Sequence, residues 1–357
     1  MSIQVLDEMV QGGFEEVLSL YDRSSGLRGF LAIHDTSAGP AFGGIRRFGY
    51  LDEDQALMDV LRLSKAMTHK CALVGLPAGG AKLVLIDSPD LNVREAYRFI
   101  GRRVEELAGR FYTGPDVGTG PSELAAVAEH TRYVTDPGVA GPGDLAGATA
   151  DGVFAGMAAT LRHLDGEEDW ASRKIVIQGL GGVGERLARR LVEVGASVVG
   201  ADVDIERAER VGRELEIETM DPAREFGEPC DVFAPCAMGG IIHDVAIERL
   251  RARAVAGAAN NVLARIGHGD QLHNKGILYA PDFAINSGAL IRGALFHLKG
   301  EREPTREIES RISSAITDIL GQAADENLPT ARVALREAER RINMRRDSAD
   351  KPPLQPT

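Results

Sequence analysis

Residues 174–202, KIVIQGLGGVGERLARRLVEVGASVVGAD, constrain the fold more than any other stretch of this chain. A β-branched strand runs into a glycine-rich turn, the turn opens a helix, and a second strand ends on an acid. In Gly179-Leu180-Gly181-Gly182-Val183-Gly184, the first glycine allows a tight turn and the second lets the backbone approach a pyrophosphate. Gly184, the third, permits close contact between helix and strand. The free N–H groups and dipole at the helix start favour an anion there. Asp202, 18 residues after Gly184, stands where a carboxylate accepts hydrogen bonds from ribose hydroxyls. Its charge repels a 2′-phosphate, so NAD is expected over NADP, with Arg207 nearby as a complication. An ordinary glycine-rich turn would explain the glycines alone; strand, helix and acid together point to a dinucleotide.

The rest of the chain must be compatible with that unit. Its 357 residues suggest two domains and a tail, and 44% hydrophobic with 26% charged residues is the balance of a soluble globular protein. A net charge of -12 argues against nucleic acid and anionic membranes as partners. Cys71, Cys230 and Cys236 form no even framework and no CxxC, which suggests a reducing compartment. There is no secretory signal pattern and no apolar run long enough to span a membrane, so a cytoplasmic location is expected. The eight histidines and three cysteines show no ligand spacing, and no metal is expected.

Strands are expected at 29–36 and 83–87, helices at 53–67 and 94–108, and a helix opened by Ser122. The turn-rich 136–147 reads as a crossing between domains. A helix over 151–164 precedes the glycine-rich unit, and short strands recur at 231–234, 254–258 and 277–280, as a parallel sheet requires. The expected organisation is α/β: a first domain over 1–137, a Rossmann domain over 138–328, a C-terminal helix over 329–345, and a disordered tail over 346–357.

Only seven of the 41 basic residues are lysine, at positions 65, 70, 82, 174, 275, 299 and 351. Lys70 and Lys82 flank an apolar and glycine-rich segment, a poor setting for solubilising charges. The segment is no P-loop, because Leu83 follows Lys82 where that motif needs Ser or Thr. The two lysines either snorkel from strand ends, pair with core carboxylates, or do chemistry that needs a titratable ammonium.

The ordered blocks GPAFGGIRR (39–47), MTHK (67–70), GLPAGGAK (75–82), FYTGPDVGT (111–119), GLGGVG (179–184), APCAMGG (234–240), GAANN (257–261) and YAPDFAINSG (279–288) together resemble the glutamate/leucine/phenylalanine/valine dehydrogenase family. The resemblance spans residues 10 to 345 and is closest to the leucine, valine, phenylalanine and tryptophan branch. It implies reversible NAD(P)-dependent deamination of an L-amino acid to a 2-oxo acid and ammonia, in two domains flanking a cleft, usually as a homo-oligomer. Carried over, Lys70 would pair with the substrate carboxylate, Lys82 would activate the attacking water, and Asp116 would exchange protons with the substrate nitrogen. Gly43 and Gly44 would lie beside the substrate, and Asn261 would contact both substrate and nicotinamide. Thr149, Val183, Gly182, Cys236, Ala237 and Asn260 would line the cofactor.

The chemistry agrees with that assignment. Loss of hydride from the Cα leaves an iminium to which water must add, and the base needs a pKa near neutrality. Desolvation and a neighbouring cation, here Lys70, can bring a lysine there, whereas arginine could not serve. Asp116 would act as a partly desolvated carboxyl.

Substrate choice in the family rests on a few positions. Phe42 stands where glutamate-specific members have a lysine, so glutamate is not expected. Gly114 replaces a larger alanine and Gly293 a valine; together with Leu290 they would form a pocket with room for a ring, which favours a Phe- or Trp-like amino acid over Leu or Val. Each methylene misfit is worth only ~1–3 kcal/mol, so a branched-chain preference is the in-class alternative. A non-catalytic NAD-binding scaffold is the alternative outside the class, disfavoured by the presence of Lys70, Lys82 and Asp116. Arg292 is expected at the surface or between subunits, and His69 replaces a tyrosine as packing or a proton relay.

Overall fold

A computed structural model describes residues 4–135 and 141–349. Part of the expected crossing, 136–140, and the last residues, 350–357, lie outside that description. The chain divides into two compact units. The first comprises residues up to Gly143 together with Gly293–Glu301 and the chain from Ala338 onward; the second comprises Asp144–Arg292 and Arg302–Glu337.

The first unit is built on six strands: β1 (Glu16–Asp22), β2 (Leu27–Asp35), β3 (Ala41–Phe42), β4 (Ile45–Phe48), β5 (Gly79–Ile86) and β6 (Phe111–Tyr112). Their order is β1-β2-β5-β3-β6, with β4 also on β5. β1, β2 and β5 pair antiparallel, while β3 and β4 join β5 in parallel. Alternation along β5 sends Ala81, Leu83 and Leu85 to one core with Tyr97, Ile100 and Phe111. Val84 and Ile86 face the other way, onto Leu57, Val60 and Leu61 of the helix Glu53–Leu73. Lys82 shares the parity of Val84 and Ile86. Near Gly80 the same helix comes so close that a Cβ would lie 2.2 Å from the Thr68 nitrogen, which makes glycine obligatory there. That close approach fixes the end of the helix carrying Lys70 against the strand carrying Lys82.

The second unit is a wholly parallel sheet of β7 (Lys174–Gln178), β8 (Ser197–Ala201), β9 (Glu218–Met220), β10 (Cys230–Pro235), β11 (Ala252–Val255) and β12 (Leu278–Tyr279). The order β9-β8-β7-β10-β11-β12 reverses direction between β7 and β10. Ligands of such sheets bind outside the carboxyl ends of the strands at that reversal.

Several expectations need correction. The helix expected at 151–164 begins earlier, as Leu145–Asp165, because Asp144 caps it by accepting from the Gly147 N–H. Pro121, not Ser122, opens the helix Pro121–Ala128. Residues 293–301, expected in the Rossmann domain, cluster with the first unit, as does the chain beyond Ala338. The last helix runs Thr330–Ala349, so residues 346–349 are helical rather than disordered. The reason is a tie to the start of the chain: Arg346 donates to the buried Asp35 carboxylate at 2.6 Å and to the Gly13 carbonyl at 2.8 Å.

Candidate active site

In the first unit Lys82 is buried on β5 and pairs with Asp116, which lies in the loop after β6. Arg46 of β4 donates to the same carboxylate at 3.2 Å and to Asp59 at 3.1 Å. Asp59 also accepts from Tyr50 Oη and Arg62, each at 2.6 Å. Burial lowers the Lys82 pKa, and Arg46 adds to that shift, while Asp116 opposes it without cancelling it. Burial pushes Asp116 upward, but Lys82 and Arg46 outweigh it and hold the carboxyl below its usual range. Arg46 is therefore a cation at this pair, a place the sequence reading gave to Lys70 alone. The motif GPAFGGIRR contained it, but no spacing rule links position 46 to position 116.

Gly43 and Gly44 lie where the fold tolerates no side chain. A Cβ on Gly43 would lie 1.7 Å from the Ala81 carbonyl, and one on Gly44 would meet the Pro115 carbonyl at 2.4 Å and the Asp116 Cβ at 3.0 Å. The backbone at 43–44 is thus wedged between the strand bearing Lys82 and the loop bearing Asp116. Lys70 is half-buried in the last turn of the helix Glu53–Leu73. That turn is held from the chain's C-terminal helix: Glu339 takes Lys65 at 2.9 Å and His69 at 3.0 Å, and Arg341 donates to the Leu73 carbonyl at 2.7 Å. His69 is thereby tied to Glu339.

Phe42, Gly114 and Gly293 come together around two residues that the sequence reading missed, Thr135 and His297. A Cβ on Gly114 would sit 3.3 Å from the Thr135 Cβ, and one on Gly293 would sit 3.2 Å from the Thr135 Cγ2. The Thr135 hydroxyl lies 3.0 Å from His297 Nε2. The His297 ring packs 4.7 Å from Tyr112 and 6.2 Å from Phe42, which itself stacks on Tyr112 at 5.0 Å. Burial lowers the His297 pKa, so the imidazole is neutral near pH 7. The only available signal was the i, i+4 spacing of Gly293 and His297 on one helix face.

In the second unit the turn after β7 fits a dinucleotide. Gly179 has φ +89°, and a Cβ on it would meet Ala237 at 2.6 Å. One on Gly184 would lie 1.9 Å from the Gly179 carbonyl, so helix and turn are in direct contact there. A Cβ on Gly181, by contrast, would face open space and one on Gly182 would have its nearest neighbours at 3.9 Å, while the Gly182 carbonyl accepts from Arg186 at 2.6 Å. The turn is therefore open on the side where Gly181 and Gly182 lack side chains, at the start of the helix Gly184–Glu193, with Val183 as its N-cap. This cradle suits a pyrophosphate.

Asp202, at the end of β8, is buried and accepts from the Leu180 N–H at 2.7 Å and the Asp204 N–H at 2.9 Å. Arg207 donates to both of its oxygens at 3.2 Å. Burial raises its pKa, but these donors more than compensate and keep it ionised. The carboxylate is thus engaged by the turn itself and by Arg207, which sequence spacing had marked only as a complication.

The Cys236 N–H donates to the Gln178 carbonyl at 2.7 Å, which brings 236–240 beside the glycine turn. Burial pushes the Cys236 thiol up to about 12, so it stays protonated. Asn260 accepts from Asn286 at 2.9 Å, and the Asn261 carbonyl accepts from the Gly240 N–H at 2.7 Å with Asn261 at φ 51°. Thr149 is buried on the helix Leu145–Asp165, its hydroxyl bonded to the Leu145 carbonyl. Leu290 is half-buried in the second unit. Arg292, expected at the surface or between subunits, is half-buried, and its Nε has no partner among the described residues. Among the described residues no three His, Cys, Asp or Glu side chains are grouped as metal ligands, and no helix is long and apolar enough to cross a membrane.

Residues 16–133 match the Glu/Leu/Phe/Val dehydrogenase dimerisation domain, and residues 202–336 match the Glutamate/Leucine/Phenylalanine/Valine dehydrogenase family. The chain is 40% identical to leucine dehydrogenase of Geobacillus stearothermophilus over 336 residues, covering 93% of this chain and 92% of that one. It is 40% identical to phenylalanine dehydrogenase of Thermoactinomyces intermedius over 344 residues, covering 95% and 94%. The crystal structure of L-tryptophan dehydrogenase from Nostoc punctiforme is similar at TM-score 0.86 and 36% identity, covering 96% of this chain and 99% of that one. The family is NAD(P)-dependent. With both domains matched and relatives aligned over nearly their whole length, this chain belongs to the glutamate/leucine/phenylalanine/valine dehydrogenase family and is an amino acid dehydrogenase of its leucine/phenylalanine/tryptophan branch.

Proposed function

We propose that this enzyme is an NAD-dependent dehydrogenase of hydrophobic L-amino acids, with aromatic side chains favoured, yielding the 2-oxo acid and ammonia. The observation that carries the chemistry is the buried Lys82 paired with Asp116 beside the 43–44 backbone. Lys70 holds the substrate carboxylate. Asp116 takes a proton from the substrate nitrogen and later returns one. NAD held on the glycine turn 179–184 would supply the acceptor for the hydride leaving the Cα. Lys82, its pKa lowered by burial, removes a proton from the water that adds to the imino carbon. Asn261 contacts the substrate beside the nicotinamide, and Thr149, Asn260, Cys236 and Ala237 border the cofactor. Gly179, Gly181, Gly182, Val183 and Gly184 cradle its pyrophosphate, and Asp202 takes the ribose.

The stacked Phe42 and Tyr112 support an aromatic substrate, and the absence of a cation at position 42 disfavours glutamate. Gly114 and Gly293 complete that pocket. A second reading, a branched-chain substrate, is favoured by Thr135, which takes part of the room left by the two glycines. The match of residues 16–133 to a dimerisation domain supports a homo-oligomer. The test is reduction of NAD and, separately, NADP with L-Phe, L-Tyr, L-Trp, L-Leu, L-Val and L-Glu, run beside Lys82→Ala. Activity on hydrophobic substrates that disappears in the variant is expected. Activity surviving in Lys82→Ala would remove the lysine from the mechanism.

A further inference from the structure

Within the pocket assigned above, one residue is out of keeping with a purely apolar substrate. His297 is a half-buried, neutral imidazole among Phe42, Tyr112 and Thr135. Among the described residues its one hydrogen bond runs from Nε2 to the Thr135 hydroxyl at 3.0 Å. That bond fixes the ring, and the other nitrogen, Nδ1, is left to address a ligand. Thr135 is itself held: its N–H donates to the Thr113 carbonyl at 2.7 Å, and its side chain is bracketed by Gly114 and Gly293. The imidazole is thus a positioned polar group rather than a mobile one. A polar group fixed in an aromatic wall rewards a ligand ring that carries a hydrogen-bonding atom and penalises one that does not, because the second leaves a desolvated nitrogen unpaired.

We infer that His297 is a specificity-determining residue that reads an N–H or O–H on the aromatic ring of the substrate, so that an indole or phenol side chain is selected over a phenyl ring. This rests on the proposed pocket of Phe42, Gly114 and Gly293. The two ring types differ in what they ask of the imidazole. An indole N–H only donates, so it needs Nδ1 as an acceptor with the Nε2 proton given to Thr135. A phenol pairs with either tautomer.

The test compares kcat/KM for L-Trp, L-Tyr and L-Phe in the parent enzyme, His297→Leu and His297→Gln. The ratios Trp/Phe or Tyr/Phe are expected to fall about tenfold in His297→Leu and to recover in part in His297→Gln. Which ratio moves distinguishes indole from phenol. A substrate-side arm needs no variant: 1-methyl-L-tryptophan and O-methyl-L-tyrosine, against their parents, remove the ring N–H or O–H. The discrimination against the methylated form should be present in the parent enzyme and reduced in His297→Leu. Ratios that hold in His297→Leu, whatever the individual rates do, or methylated substrates used as well as their parents, overturn the role of His297 alone. Lys82-dependent activity confined to aliphatic amino acids overturns the aromatic reading as well.

Discussion

Gln178 and Glu225 pair at the foot of the glycine turn: the amide nitrogen of Gln178 donates to one Glu225 oxygen at 2.5 Å, and the Gln178 amide oxygen and the second Glu225 oxygen are buried without a partner among the described residues. A protonated Glu225 resolves this, because its O–H can donate to the Gln178 carbonyl oxygen and close a reciprocal pair. Burial raises the Glu225 pKa to about 7, in the direction that geometry requires. The folded chain therefore holds a proton that the unfolded chain releases between pH 4.5 and about 7. Stability from this group is full below that window, declines through it and stays lower above it, by on the order of 3 kcal/mol. Glu225→Gln should raise the urea midpoint at pH 8 and change it much less at pH 5. Equal shifts at both pH values would show that the carboxyl is not protonated in the fold.

Lys82 and Asp116 make activity sensitive to Arg46. Replacing Lys82 with Ala should cost ~10²–10⁴ in kcat, and Arg at that position should fare no better, because guanidinium does not deprotonate. The deamination rate should fall as the pH drops through the lowered Lys82 pKa. Both groups act deprotonated, and Arg46 depresses both, so Arg46→Gln should move the acid limb of the kcat/KM profile to higher pH. A profile that loses height without shifting would assign Arg46 a structural role only.

Arg207 occupies both oxygens of Asp202, the carboxylate proposed for the ribose. Its removal frees lone pairs for ribose hydroxyls and takes away the cation that would tolerate a 2′-phosphate. Arg207→Ala should therefore increase the kcat/KM preference for NAD over NADP, by about tenfold if the cation contributes a charge-assisted hydrogen bond. An unchanged ratio would place Arg207 outside cofactor choice.

Asp35 is buried and depends on Arg346 for charge compensation, with Ser37 as a further donor at 2.7 Å. Arg346→Leu should destabilise the fold by roughly 2 kcal/mol, and Asp35→Asn in the same chain should recover much of it. Urea unfolding of the single and double variants measures both; a single variant as stable as the parent would make the pair dispensable.

The dinucleotide unit was legible because its signal is local: strand, turn, helix and acid lie within 29 residues and need no distant partner to be read. Lys70 and Lys82 were legible through composition, as rare lysines in an apolar segment. Asp116 and the glycine pair came from the family resemblance, and their roles stay proposals. What escaped were residues that acquire meaning only from a distant partner. Arg46 meets Asp116 from 70 positions away, and Thr135 meets His297 from 162. The amphipathic pattern of residues 330–349 announces a helix but not which core its face will cover, and so Glu339, Arg341 and Arg346 were assigned no part.

The interrupted chain path of the first unit bears on protein engineering. Exchanging substrate preference between relatives by a single crossover near Gly143 would transplant Phe42, Gly114 and Thr135 while leaving Gly293 and His297 behind. It would also separate Asp35 from Arg346 and the Lys70 helix from Glu339 and Arg341. A graft that preserves the pocket has to carry three pieces of sequence, and recombination libraries cut only once will sample mismatched halves of it.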